Sequence, residues 1–241
     1  MMQWVDDKES PYGCRLVCSG ADIDDIMEER YLKFYKGACN MIHPAIDLDR
    51  FVDEALTQED IGFDSQAQLS RFILGATMFN PDGSKLIQIN AILYHQRNTP
   101  AFKGRFRFTC AHEIFHSLFH GQLFRNAGDD RTLRCFENHF MESTVAPSQN
   151  TRDFIEWQAN RGSAALLMPV SIFKEKVRQF RSKSHNQNAL LQDLVSCFDV
   201  SRQSAELRLK TLGLLILPGD DFVLEHDGIN SYEDPRRREW H

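Results

Sequence analysis

The chain has 241 residues, 42% of them apolar and 18 of them Phe, which is material for one or two domains with a sizeable core. Its 28 basic and 34 acidic residues leave a net charge of −6. That balance argues against a protein built mainly around a nucleic-acid or anionic-membrane surface, because both need a basic excess.

The opening MMQWVDDKES is acidic and holds no apolar stretch, so no secretory signal is read there and a cytoplasmic chain is expected. Residues 1–20 read as polar and irregular around Pro11, Gly13 and Gly20. From Asp22, a natural N-cap, apolar positions 23, 26, 27, 31, 34 and 35 predict a helix to about Tyr35. Beyond Pro44, Ile46, Leu48, Phe51, Val52, Ala55 and Leu56 recur at helical spacing. FILGATMF, then Asn80-Pro81-Asp82-Gly83, then KLIQIN predict a β-hairpin. RFRFTCAHEIFHSLFHG begins strand-like and turns helical after Thr109, the expected N-cap, with Gly121 as its stop. Residues 121–152 are polar and rich in turn formers, and read as a long loop or insertion. A second helix over about 153–168 stops at Pro169. A basic segment, 174–183, leads to paired helices over 189–213 that turn at Asp199-Val200-Ser201. Apolar runs such as 212–217 fall far short of the ~20 residues of a membrane span. From Pro218 the tail is acidic and ends in EDPRRREWH.

Six cysteines (14, 18, 39, 110, 135 and 197) are scattered without a pairing pattern and read as reduced thiols. Cys14, Cys18, Cys39 and His43 have a spacing that invites a structural zinc. No glycine turn supports either pair, however, and His43 directly precedes Pro44, which favours extended backbone. Unrelated thiols are the preferred reading.

The chemistry concentrates at His112-Glu113-Ile114-Phe115-His116. On a helix, histidines four apart share a face and can grip one metal ion. Glu113 lies on nearly the same side, where it can take a proton from an activated water, the chemistry of a zinc hydrolase. A catalytic zinc needs a third protein ligand. His120 continues the series but is two further turns from His112, about 12 Å along the axis, which fits a supporting or surface histidine better than a ligand. Glu156 on the second helix is the better candidate, with Glu137 and Glu142 as runners-up in the polar loop. Asn160, one turn on, can accept the free ring N–H of a ligating histidine. Ala159, Gly162, Ser163, Ala164 and Ala165 would let the two helices approach closely.

RFTCAHEIFHSLFHG followed by EWQANRGSAALLMP resembles the ImmA/IrrE family of zinc metallopeptidases. Its members carry R-F-T-x-A-H-E-x-x-H-x-x-x-H and then E-x-x-A-N-x-F-A-x-x-L-L-M-P. The resemblance covers roughly 40–217 and is strongest in the two motif helices. It implies an α+β, zincin-like fold with a small antiparallel or mixed sheet on the HExxH helix. It further implies a Zn²⁺ cofactor with His112, His116 and Glu156 as ligands, Glu113 as general base and Asn160 as their supporting partner. The expected division is an N-terminal extension (1–36), a metallopeptidase domain (37–170), a helix-turn-helix-like region (171–217) and an acidic tail (218–241). The substrate it implies is a cytoplasmic helix-turn-helix repressor, cleaved to relieve repression of mobile-element or stress genes. Two departures stand out: Gly162-Ser163 replaces Phe-Ala, removing a core aromatic, and a long stretch separates the motifs, placing a substrate-facing insertion at 123–152. Candidate oxyanion donors are His120, His139, His226 and Tyr232.

In the helix-turn-helix-like stretch, Arg202, Gln203 and Arg208 are the side chains a DNA reader would use. Three basic residues there face three acidic ones, so phosphate attraction is weak and a scaffold or protein-docking role is preferred. Lys174, Lys176, Arg178, Arg181 and Lys183 are the other basic group, read as a solvated helix face. The rival to the peptidase reading is a catalytically silent zincin acting as a protein- or DNA-binding regulator. No membrane partner is expected.

Overall fold

The computed structural model describes residues 2–38, 43–56, 59–125, 131–136, 151–184, 186–216 and 223–225. Within them the fold is α+β, with eight α-helices, one four-stranded sheet and two two-stranded ribbons. Strands β1 (Gln3–Asp6) and β2 (Cys14–Val17) pair antiparallel and lead into α1 (Gly20–Ala38). The expectation of an irregular first 20 residues is therefore corrected. Each strand has only four residues, too few for period-2 patterning to stand out from sequence.

The helix expected after Pro44 is one α-turn, α2 (Leu48–Phe51), capped by the Asp47 side chain on the Arg50 amide and continued by a π-turn over Val52–Leu56. The central sheet runs β3-β5-β4-β6, with β3 (Ile61–Ala67), β4 (Ile73–Phe79), β5 (Lys85–Asn90) and β6 (Thr132–Phe136). The predicted hairpin is β4–β5, closed at Asn80–Ser84 with Gly83 at φ +92°, where a side chain would be strained. β3 joins β5 in parallel and β6 joins β4 antiparallel. β6 lies inside the stretch expected to be loop, and the pairing with β4 is what makes it a strand. The remainder of the 123–152 insertion between 137 and 150, with Glu137, His139 and Glu142, lies outside the described residues, as do Cys39, His226 and Tyr232.

After α3 (Ala91–Gln96), the motif helix α4 spans Pro100–Phe119. This corrects the expected start at Thr109: the helix begins at Thr99-Pro100, and RFRF is helical. Pro at the first helical position is pre-set for α, and alternation of Arg and Phe imitates a strand only until burial is known. Thr109 lies mid-helix and is fully buried. α4 lies on β4 and β5 and packs along α5 (Thr151–Leu167), which in turn packs on α1. α6 (Val170–Arg181) follows Pro169, then α7 (Gln187–Phe198) and α8 (Arg202–Thr211). α6 buries Ile172, Phe173 and Val177 and turns its basic residues outward. Asp199 makes the α7–α8 turn in the left-handed region (φ 57°), where glycine is usual. Its carboxylate meets Lys103 of α4 at 2.7 Å. β7 (Leu214–Ile216) and β8 (Val223–Glu225) form the last ribbon. One core extends from Leu16 to Leu214 through α1, the sheet, α4, α5 and the three following helices. No helix among the described residues is long and apolar enough to cross a membrane.

Candidate metal centre

The site forms where α5 crosses α4 over β4. Such a crossing needs small residues on α5, and Gly162 provides the contact: a Cβ there would stand 1.9 Å from Phe115 Cδ2. The ring of Phe115, on α4, thus occupies the space beside the position where the family carries Phe. With the helices this close, His112 and His116 face Glu156, all three buried. Each offers one ligand atom, all within 4.8 Å of one another. His112 Nε2 is 2.9 Å from His116 Nε2 and 3.2 Å from Glu156 Oε2, and His116 Nε2 is 3.9 Å from Glu156 Oε1. Ligands ~2.0–2.1 Å from one tetrahedral zinc stand about 3.3 Å apart, so the donor set and its spread fit that ion.

The other ring nitrogens are occupied. Asn160 Oδ1 is 3.0 Å from His112 Nδ1, and His120 Nδ1 is 2.7 Å from His116 Nδ1. Both histidines therefore turn Nε2 toward the shared point. Burial alone would lower the pKa of His112, but the Glu156 carboxylate, with Glu113 and Asn160, raises it. His120 is fully buried, and burial together with His116 holds its pKa well below the usual range, so it is neutral.

Glu113 points from α4 to the sheet. Thr77 Oγ1 donates to Glu113 Oε2 at 2.7 Å, while Oε1 has no hydrogen-bond partner among the described residues. Burial raises the carboxyl to about 7, against the pull of His112 and the Thr77 hydroxyl. A carboxyl near neutrality with one open acceptor suits proton transfer. Gly75 makes room for it, since a Cβ there would lie 2.9 Å from Glu113 Cγ and Oε1. Gly75 and Thr77 share one face of β4 by strand alternation.

Cys135 pairs with Gly75 across the sheet and is also buried. Its thiol, with His112 and Glu113, forms a second group close enough for ligation. Burial, with Glu113 and Glu156, pushes that thiol far up, so it stands as a neutral thiol beside the base rather than as a ready ligand. Thr77, Gly75 and Cys135 escaped the sequence reading because only strand register brings them under α4. Of the Cys14, Cys18, Cys39 and His43 group, Cys39 lies outside the described residues; Cys14 Sγ lies 3.9 Å from the Gln122 carbonyl, and Cys18 Sγ takes Gln158 Nε2 at 3.2 Å.

Of the three candidate base readers, Arg208 is buried, with Nη1 2.7 Å from Asp24 and Nε 3.0 Å from the Met168 carbonyl. Arg202 is exposed and bonds Asn188, and Gln203 is exposed. The start of α8 sits on α4, where a Cβ at Gly104 would meet Ser201 N at 2.7 Å.

Comparison with curated proteins gives no significant match. The IrrE N-terminal-like domain, Peptidase_M78, matches residues 79–210, which hold β5, both motif helices and the α7–α8 pair. That stretch is more than half of the 241 residues, and with its buried His/His/Glu group it supports a metallopeptidase-type function on a zincin-like α+β fold. The chain belongs to the IrrE N-terminal-like domain family of peptidases.

Proposed function

We propose that the protein is a zinc-dependent endopeptidase in which His112, His116 and Glu156 hold the metal and Glu113 is the general base. The observation that carries this reading is the convergence of three buried donors with a partner-free Glu113 oxygen beside them. Zinc bound there supplies Lewis acidity toward a carbonyl and activates water. Glu113 Oε1 accepts the proton, Thr77 keeps the carboxylate in register, and the proton is later delivered to the leaving amine. Asn160 holds His112 in the tautomer that presents Nε2. The substrate we assign is a cytoplasmic helix-turn-helix repressor, supported by the family's resemblance motifs.

Elemental analysis of wild type, Glu113→Gln and Glu156→Ala, followed by cleavage assays on candidate repressors, tests both parts. One zinc per chain is expected in the first two and clear loss in the third, with turnover abolished in Glu113→Gln. A wild type that neither contains nor takes up zinc would sink the reading. Zinc with full biological effect in Glu113→Gln would instead establish the silent zincin.

A further inference from the structure

His116 is held by a chain of polar groups that ends outside the family match. The Gln158 amide on α5 donates Nε2–H to the Leu16 carbonyl of β2 at 2.8 Å. A carbonyl only accepts, so the amide orientation is fixed and Gln158 Oε1 is the end that faces His120 Nε2 at 2.9 Å. His120 Nε2 must then carry the ring proton. In a neutral imidazole this leaves Nδ1 as an acceptor, and it lies 2.7 Å from His116 Nδ1. His116 Nδ1 must donate, and in the neutral ring that leaves Nε2 with a lone pair facing His112 and Glu156. Every group in the chain is buried: Gln158 is 1% exposed, His120 and His116 0%, and Leu16 5%.

We infer that Leu16, Gln158 and His120 form a positioning relay that fixes the tautomer of His116, making the N-terminal ribbon a working part of the metal centre. Residues 2–18 lie outside the matched 79–210, yet they orient one metal ligand through two intervening side chains. All three are buried, and they act on the centre through His116. The inference rests on the zinc reading for its purpose but not for its geometry.

Two measurements on the full chain test it. First, ¹⁵N NMR of the histidine rings in metal-free wild type at pH 7 should show His120 as the Nε2–H tautomer and His116 protonated at Nδ1. A His116 ring protonated only at Nε2 would overturn the relay. Second, Gln158→Met removes the hydrogen bonds to Leu16, Cys18 and His120, whereas Gln158→Glu keeps the acceptor for His120 but sets a carboxylate against the Leu16 carbonyl. Zinc affinity should fall about tenfold or more in Gln158→Met, in the range typical of lost supporting partners, and stay near wild type in Gln158→Glu. Thermal stability should follow the opposite order, because the carboxylate buries a charge. Affinity that simply tracks stability, or a change under twofold in Gln158→Met, overturns the inference. A wild type with the expected tautomers that binds no zinc would overturn the metal reading alone.

Discussion

Glu113 shows how burial sets a single residue's chemistry. Its carboxyl is raised to about 7 by burial, while an unfolded Glu titrates near ~4.3. The folded, metal-free protein therefore keeps a proton that the unfolded chain releases between these values. Stability from this group is full at pH 4, falls as pH rises, and is lost above about 7. The loss is of the order of 3 kcal/mol for a fully buried group. Glu113→Gln, which cannot ionise, should accordingly raise the melting temperature of metal-free protein at pH 8 and leave it little changed at pH 4.5. Equal shifts at both pH values would mean that the carboxyl is not the source.

At the scale of elements, the centre depends on how closely α4 and α5 approach. Gly162 faces the Phe115 ring, and a methyl there would overlap it at 1.9 Å. The partner is the body of a fully buried aromatic, not the end of a flexible chain, so the helices must part. Although alanine favours a helix over glycine by up to ~1 kcal/mol, Gly162→Ala should destabilise the protein at the upper end of the ~1–3 kcal/mol typical of overpacking. Denaturant unfolding reads this as a lower midpoint at unchanged slope. Zinc affinity should fall with it, since Glu156 and Asn160 ride on α5 while His112 and His116 ride on α4. A more stable Gly162→Ala would show that helix propensity outweighs the packing at this crossing.

Across the whole molecule, α1, α5 and α8 meet at Asp24. Arg161 Nε reaches its carboxylate at 3.1 Å and Arg208 Nη1 at 2.7 Å, all three residues being buried. Burial alone would raise the pKa of Asp24, but Arg208 and Arg161 hold it below the usual carboxylate range. Burial also draws Arg208 downward against the opposite pull of Asp24, yet an arginine remains charged in a protein. Removing the shared partner leaves two buried cations facing each other, so Asp24→Ala should cost about 3–5 kcal/mol. Calorimetry should show the loss in full at pH 7. A depressed folded pKa places this stability above pH ~4 and removes it as pH falls further, so the gap between wild type and variant should close in acid. A gap unchanged down to pH 2 would rule out ionisation of Asp24 as its source.

The local parts of the fold and the site are legible along the chain. Histidines four apart on one helix, a base between them, a proline-bounded second helix and a Pro-Asp-Gly hairpin are each written within a few residues. Spacing along one helix fixes direction, so the distance of His120 from His112 already argued against its sharing an ion. Contacts between distant segments were not legible, because no periodicity records which strand pairs with which. Register alone sets Cys135 across from Gly75, and RFRF belongs to α4 with Phe106, Arg107 and Phe108 buried in succession, a run that strand alternation would not bury on one face. The short ribbon at the N-terminus carries too few residues to announce itself, yet its Leu16 carbonyl orients Gln158, 142 positions away. Chain-local geometry gave the ligands their direction; tertiary packing, by setting Asn160, His120 and Gln158 against the rings, fixed which nitrogen His112, His116 and His120 turn to each partner.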